Sequence, residues 1–263
     1  MRRAFLALPL LSACAPQRVA NWLSASVEEE RRGIPYGPDP AQVMDLYGRA
    51  DAPLLVFVHG GGWTAGTPRD YAFVARPLAR LGWRVAVPGY RLHPAVTHPA
   101  FVEDVARACA ALDGPLVLMG HSAGAFIAAA LAYDGSWGLR RRTRGFIGLA
   151  GPYDFQSSEA NPPAIFAGLT RVEAIPHGIP LGGAAPMLLL HGLDDTTVRP
   201  RHSRVLAARG RNAGLDVRHR EYAGMGHVGI IAAFAAPVRR LGLADADVLG
   251  EVRGFLEGYA SSS

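Results

Sequence analysis

The chain has 263 residues, 49% of them hydrophobic and 19% charged, the composition of a packed globular protein and not of a disordered one. All 27 Lys+Arg residues are Arg, which excludes Schiff-base and pyridoxal-phosphate chemistry and every phosphate site built on a lysine. The formal charge of +5 comes from Arg scattered along the chain, so no nucleic-acid partner is expected; the densest run, Arg140, Arg141, Arg142 and Arg144, reads as a solvated loop or helix end.

In chain order the first element is a targeting segment. Arg2 and Arg3 form a short positive region, residues 4–11 an apolar run far too short to span a bilayer, and Ser12 and Ala13 are small. Leu11-Ser12-Ala13-Cys14 resembles the lipobox of bacterial lipoproteins. That resemblance implies export, cleavage before Cys14, acylation of Cys14 and attachment to a membrane. With Cys14 acylated, Cys109 has no disulfide partner; it falls in an apolar-periodic helical stretch and reads as a small core residue. Neither cysteine belongs to a ligand pair and the nine His form no i, i+4 cluster, so no metal site is expected.

Strands and helices then alternate. Strands are expected at 43–47, 54–59 (LLVFVH), 83–87 (WRVAV), 116–119 (LVLM), 146–149 (FIGL), 187–191 (MLLLH) and, more polar, 217–222. Several are apolar on both faces, as in a parallel sheet covered on each side. Helices are expected at about 71–81, 101–112, 123–133, 202–213 and 244–259. This βαβα rhythm specifies an α/β fold, a mostly parallel, doubly wound sheet with helices on both faces. The Pro- and Gly-rich stretch 156–183 reads as a small insertion near the site.

The chemistry-bearing residues lie at strand ends. Gly120-His121-Ser122-Ala123-Gly124 is a G-x-S-x-G between a strand and a helix, the context in which a tight turn lifts a serine hydroxyl above a sheet. That hydroxyl is a poor nucleophile until a base takes its proton. Asp195, in His191-Gly192-Leu193-Asp194-Asp195, and His227, in Gly224-Met225-Gly226-His227, each follow a strand. The order Ser122, Asp195, His227 supplies nucleophile, orienting acid and base. Asp194 and Asp154 are alternative acids. His59-Gly60-Gly61-Gly62-Trp63 follows the 54–59 strand; the unobstructed N–H groups of Gly61 and Gly62, with that of Ala123, are suited to hold a developing oxyanion. His59 is expected to brace that loop, His121 to be structural, and Trp63 either to shape an acyl pocket or to pack in the core. His93, His98, His177, His202 and His219 are expected on the surface or in loops.

With these motifs the chain resembles the esterase/lipase members of the α/β-hydrolase superfamily, near the hormone-sensitive-lipase-like branch with its HGGG motif. HGGGW with Gly66 and Tyr71, the upstream Tyr36, Gln42 and Asp45-Leu46-Tyr47, and the block from Pro88-Gly89-Tyr90-Arg91-Leu92-His93-Pro94 to Glu103-Asp104-Val105 are also similar to kynurenine formamidases and prenylcysteine methylesterases. The resemblance covers about residues 34–260. It implies an α/β-hydrolase fold with little or no cap and a serine hydrolase of small carboxylic esters that needs no cofactor. An aryl formamide or prenylcysteine methyl ester is the more specialised alternative, and a non-catalytic binding lipoprotein is the alternative of another class. The expected organisation is a signal peptide at 1–13, a polar leash at 14–33 and a catalytic domain at 34–263.

Overall fold

The computed structural model describes residues 21, 24, 26, 27, 29–153, 164–166, 181–236, 238 and 246–259. The expected signal, Cys14, Asp154, His177 and most of the 156–183 stretch lie outside the described residues.

Eight strands form one sheet: β1 (Arg31–Pro35), β2 (Val43–Tyr47), β3 (Leu54–Val58), β4 (Arg84–Pro88), β5 (Leu116–His121), β6 (Thr143–Leu149), β7 (Met187–Gly192) and β8 (Val217–Tyr222), in the spatial order β1-β2-β4-β3-β5-β6-β7-β8. All pairings from β4 through β8 are parallel, and β2 runs antiparallel to both β1 and β4. The helices are α1 (Ala72–Arg80), α2 (Ala100–Ala110), α3 (Ala123–Tyr133), α4 (Arg201–Asn212), α5 (His227–Ala232) and α6 (Val248–Leu256).

The continuous apolar strands are the cause of this layering. Successive side chains point to opposite faces, so Leu54, Val56 and Val58 pack with residues of α2, α3 and α4, while Leu55 and Phe57 pack with residues of α1, α5 and α6. Helix α3 (AGAFIAAALAY) is buried along its whole length, which is why it is apolar on every side where α1 and α4 also carry Arg. The chain leaves β3 for β4 on one side and returns to β5 on the other. The C-terminal ends of β3 and β5 therefore flank the switch point of the sheet, where α/β folds open a crevice.

Several expectations change. The boundary between leash and domain, placed at 33/34, falls inside β1, an exposed edge strand held by main-chain pairing to β2 and by the Gly33 N–H donating to Asp45 (2.8 Å). Further upstream, the Arg76 guanidinium on α1 bonds Glu30 (2.8 Å) and the carbonyls of Asn21 (3.1 Å) and Ser24 (2.5 Å), so this stretch is packed on the domain. Helix α5 was not expected, being six residues long with a glycine inside. Arg142 is not merely solvated: it donates to the carbonyls of Cys109, Leu112 and Gly114 at the C-terminal end of α2, which terminate in water otherwise. His202 is buried at 2% exposure on α4, and His98 and His219 are half-buried. Cys109 lies in the core as expected, its thiol pushed up to about 12 by burial.

Candidate active site

Ser122 stands between β5 and α3 at φ 54°, ψ −124°. A non-glycine residue survives there only where its surroundings over-determine it. Its N–H donates to Leu149 on β6 (2.9 Å), and its carbonyl accepts from Ala125 (2.9 Å) and Phe126 (3.3 Å) in the first turn of α3. The flanking glycines make the turn sterically possible. A Cβ on Gly120 would lie 2.3 Å from the Gly124 carbonyl oxygen, and one on Gly124 would lie 2.1 Å from that of Val58, so three backbones meet with no room for a methyl group.

The loops after β7 and β8 bring two more groups to this turn. They are pressed together: Leu193 N–H donates to Tyr222 (2.8 Å), Asp194 N–H to Met225 (3.0 Å), and a Cβ on Gly192 would meet the Met225 carbonyl at 2.1 Å. His227, at the start of α5, thereby places Nε2 2.9 Å from Ser122 Oγ and Nδ1 2.7 Å from Asp195 Oδ2. Asp195 Oδ1 accepts from the N–H groups of Thr197 (2.9 Å) and Val198 (2.8 Å). With a carboxylate as partner, Nδ1 carries the imidazole proton and Nε2 is left to accept from the serine hydroxyl. Such a chain can withdraw the hydroxyl proton as the oxygen attacks a carbonyl carbon. Asp194, the neighbouring carboxyl, is exposed and points its side chain into none of these contacts.

The glycine loop after β3 forms the other wall. Gly61, Gly62 and Trp63 all have positive φ (117°, 60° and 59°). The Gly61 carbonyl turns back to accept from Thr64 (3.1 Å) and Ala65 (3.0 Å), and a Cβ on Gly61 would sit 2.0 Å from the Ala65 oxygen. Among the described residues the N–H groups of Gly61 and Gly62 donate to no backbone carbonyl. Ala123 is the first residue of α3, where an N–H has no helical acceptor. His59 braces the loop: fully buried, it stacks between Tyr90 (4.4 Å) and Tyr71 (5.5 Å), and the Tyr90 hydroxyl donates to its carbonyl (2.9 Å). Burial pushes its imidazole down to about 4.

Two features were missed from the sequence, the ring cluster at Trp63 and the place of His191. Trp63 belongs to a cluster of rings with His98, Phe101, Phe126 and Phe166, at centroid separations of 5.1 to 6.2 Å. Phe126 lies one helical turn after Ser122, so the cluster adjoins both the serine turn and the glycine loop. His121 is structural, as expected: 6% exposed, it has Nε2 3.3 Å from the His227 carbonyl, tying the serine strand to the histidine loop, and burial and the neighbouring His227 hold it down at about 3. His191 touches Asp195 from below. For His191 the signal was present, since it opens the motif that contains Asp195; for the ring cluster, contributed by four separate segments, no sequence signal existed.

A family model described as the alpha/beta hydrolase fold matches residues 55–161. The chain is 30% identical over 153 residues to the kynurenine formamidase of Danio rerio, covering 52% of this chain and 52% of that protein. It is 29% identical over 239 residues to esterase LipC of Mycobacterium tuberculosis (75% and 59%), and 27% over 241 residues to a probable isoprenylcysteine alpha-carbonyl methylesterase of Oryza sativa (76% and 58%). The chain thus spans little more than half the length of these curated relatives. Among solved structures, a truncated carbohydrate esterase from gut microbiota superposes with a TM-score of 0.73 at 17% identity, covering 90% of this chain and 99% of that one. Apo esterase 2 of Thermogutta terrifontis superposes at 0.70 with 21% identity (88% and 94%). The sheet order, the serine turn at the switch point and these similarities together show that the chain has an α/β-hydrolase fold and is similar in sequence to esterases and a kynurenine formamidase.

Proposed function

We propose that the protein is a serine hydrolase that cleaves small carboxylic esters. The observation that carries this reading is the hydrogen-bonded series from Asp195 Oδ2 through the His227 imidazole to Ser122 Oγ, at 2.7 and 2.9 Å. Ser122 Oγ attacks the ester carbonyl carbon while its proton passes to His227 Nε2. The carbonyl oxygen becomes an oxyanion held by the N–H groups of Gly61, Gly62 and Ala123. Collapse breaks the bond to the alcohol, which leaves with the proton from His227. Water then repeats the sequence on the acyl-enzyme, again through His227, and releases the acid. Asp195 keeps the imidazole in the productive tautomer and stabilises its cation.

The ring cluster at Trp63 supports a small acyl group, because its mutually packed rings occupy the space beside the serine turn. The similarity to a kynurenine formamidase supports an aryl formamide as the second substrate class. The order of charge, apolar run and Cys14 in residues 1–14 supports export and attachment through an acylated Cys14. No helix among the described residues is long and apolar enough to cross a membrane.

A fluorophosphonate probe should label Ser122 and fail on Ser122→Ala, whose turnover should fall by about a million-fold. In a series of p-nitrophenyl esters run beside N-formylkynurenine, kcat/KM should peak between acetyl and hexanoyl. Full esterase activity in folded Ser122→Ala would overturn the mechanism; a peak at dodecanoyl would overturn only the small-acyl reading.

A further inference from the structure

His191 is the fifth residue of β7 and has no exposed surface. Burial lowers its pKa, so it remains neutral and must adopt one tautomer. Its contacts decide which. Nε2 lies 2.8 Å from the Val198 carbonyl and 3.3 Å from Asp195 Oδ2, both acceptors, so Nε2 carries the hydrogen. Nδ1 lies 2.7 Å from Ser203 Oγ on α4 and accepts its hydroxyl proton. Val198 is therefore held at both ends: its carbonyl by His191, its N–H by Asp195 Oδ1 at 2.8 Å. The loop from Gly192 to Val198 closes into a ring around the carboxylate. Asp195 Oδ1 accepts from the N–H groups of Thr197 and Val198, Oδ2 accepts from His227, and the His191 N–H, bonded to the Val198 carbonyl, also faces Oδ2 at 3.3 Å.

We propose that His191 is a positioning residue of the reaction above: it fixes the rotamer of Asp195 against His227 and withdraws part of the negative charge on Oδ2, with Ser203 setting its tautomer. The inference rests on the triad reading. The groups coupled to this imidazole are Asp195 on its own loop, His227 on α5, His121 on β5 and His219 on β8. Removal of the His191 N–H leaves Oδ2 a stronger acceptor, so the His227 cation is held more tightly. The acid limb of kcat/KM then moves to higher pH, while looser carboxylate geometry lowers kcat. Because His191 is sealed from the pocket, KM for a small ester stays the same.

Two amide substitutions separate this from a general packing role. In His191→Gln the amide nitrogen reaches the position of Nε2 and keeps the donor to Val198 and Asp195; in His191→Asn it reaches only that of Nδ1. On p-nitrophenyl acetate, His191→Asn should lose about 10- to 100-fold in kcat, the range found for partners of functional ligands. Its acid limb should move up and its KM should hold, whereas His191→Gln should stay within a few-fold of the native protein with its limb in place. Equal loss in both variants, or native kcat and limb in His191→Asn, would overturn the proposal. If neither variant folds, nitrogen NMR of the native protein decides: a neutral Nε2–H tautomer at His191 from about pH 5 to 9 supports it, and an Nδ1–H tautomer or a cation refutes it. Ser122→Ala on the same ester keeps the two readings apart, since activity in that variant removes the triad itself.

Discussion

At Asp195 the two carboxylate oxygens have different tasks. Oδ1 is occupied by two backbone N–H groups of its own loop, which fix the carboxylate, and Oδ2 is turned to His227. Asp194 differs by one position and is solvent-exposed, because a one-residue step along this turn points the side chain the other way. The two are expected to separate sharply. Asp195→Asn should cost about ten-thousand-fold in kcat by favouring the wrong His227 tautomer, and Asp194→Asn should change kcat by no more than a few-fold. Measurement on one soluble ester is enough; the reverse ranking would transfer the acid to Asp194.

At the scale of elements, α3 and the serine turn depend on backbone proximity more than on helix propensity. Gly→Ala inside a helix ordinarily gains about 1 kcal/mol. At Gly254 on α6, where a Cβ would meet nothing within 4 Å, Gly254→Ala should raise the unfolding free energy by about 0.5–1 kcal/mol. At Gly124 the same methyl would sit 2.1 Å from the Val58 oxygen and 2.4 Å from that of His59. Gly124→Ala should therefore destabilise by at least about 1–3 kcal/mol and displace Ser122. Urea unfolding of the two variants gives opposite signs if the close approach governs; a stabilised Gly124→Ala would show that β3 and α3 can separate at little cost.

For the whole molecule, the buried imidazoles set the response to acid. His59 and His121 fall from an ordinary 6.5 to about 4 and about 3, chiefly through burial, and His98, His191 and His219 are lowered for the same reason. Above pH 6.5 both folded and unfolded chains carry them neutral. Below it the unfolded chain takes up protons that the folded chain refuses, so stability falls as pH drops from 6.5 toward 4, at about 1.4 kcal/mol per unit for each of His59 and His121, with the other three acting in the same direction. At Glu30, burial raises the carboxyl pKa, but hydrogen bonds from Arg76 and Arg32 outweigh it and hold the group at about 2, so its contribution is lost only below 4.5. Urea midpoints at pH 7.5 and 4.5 should differ markedly, and equal midpoints would contradict the burial of these rings. The proposed tether is separable from all of this: a protein beginning after Cys14 should be soluble with native kinetics, and Cys14→Ser should release the full-length protein from membranes of its host.

The layering of this protein was determined by sequence alone, because strands apolar on both faces, such as 54–58 and 187–190, have no stable place except between two layers of helices. The nature of the site was legible for a related reason: Gly120-His121-Ser122-Ala123-Gly124 needs its glycines for a clash that any strand–turn–helix of this kind would create, and Asp195 and His227 each follow a strand that announces itself. Edge strand β1 escaped because its stability lies in main-chain pairing and a hydrogen bond from Gly33 to Asp45, neither of which leaves an apolar pattern. Which groups His191 and His121 touch, and the assembly of the ring cluster around Trp63, were decided only by tertiary structure. A buried imidazole and an exposed one are the same letter, and what separates them is which segments, as many as 106 residues apart for His121 and His227, the sheet order brings within hydrogen-bonding distance.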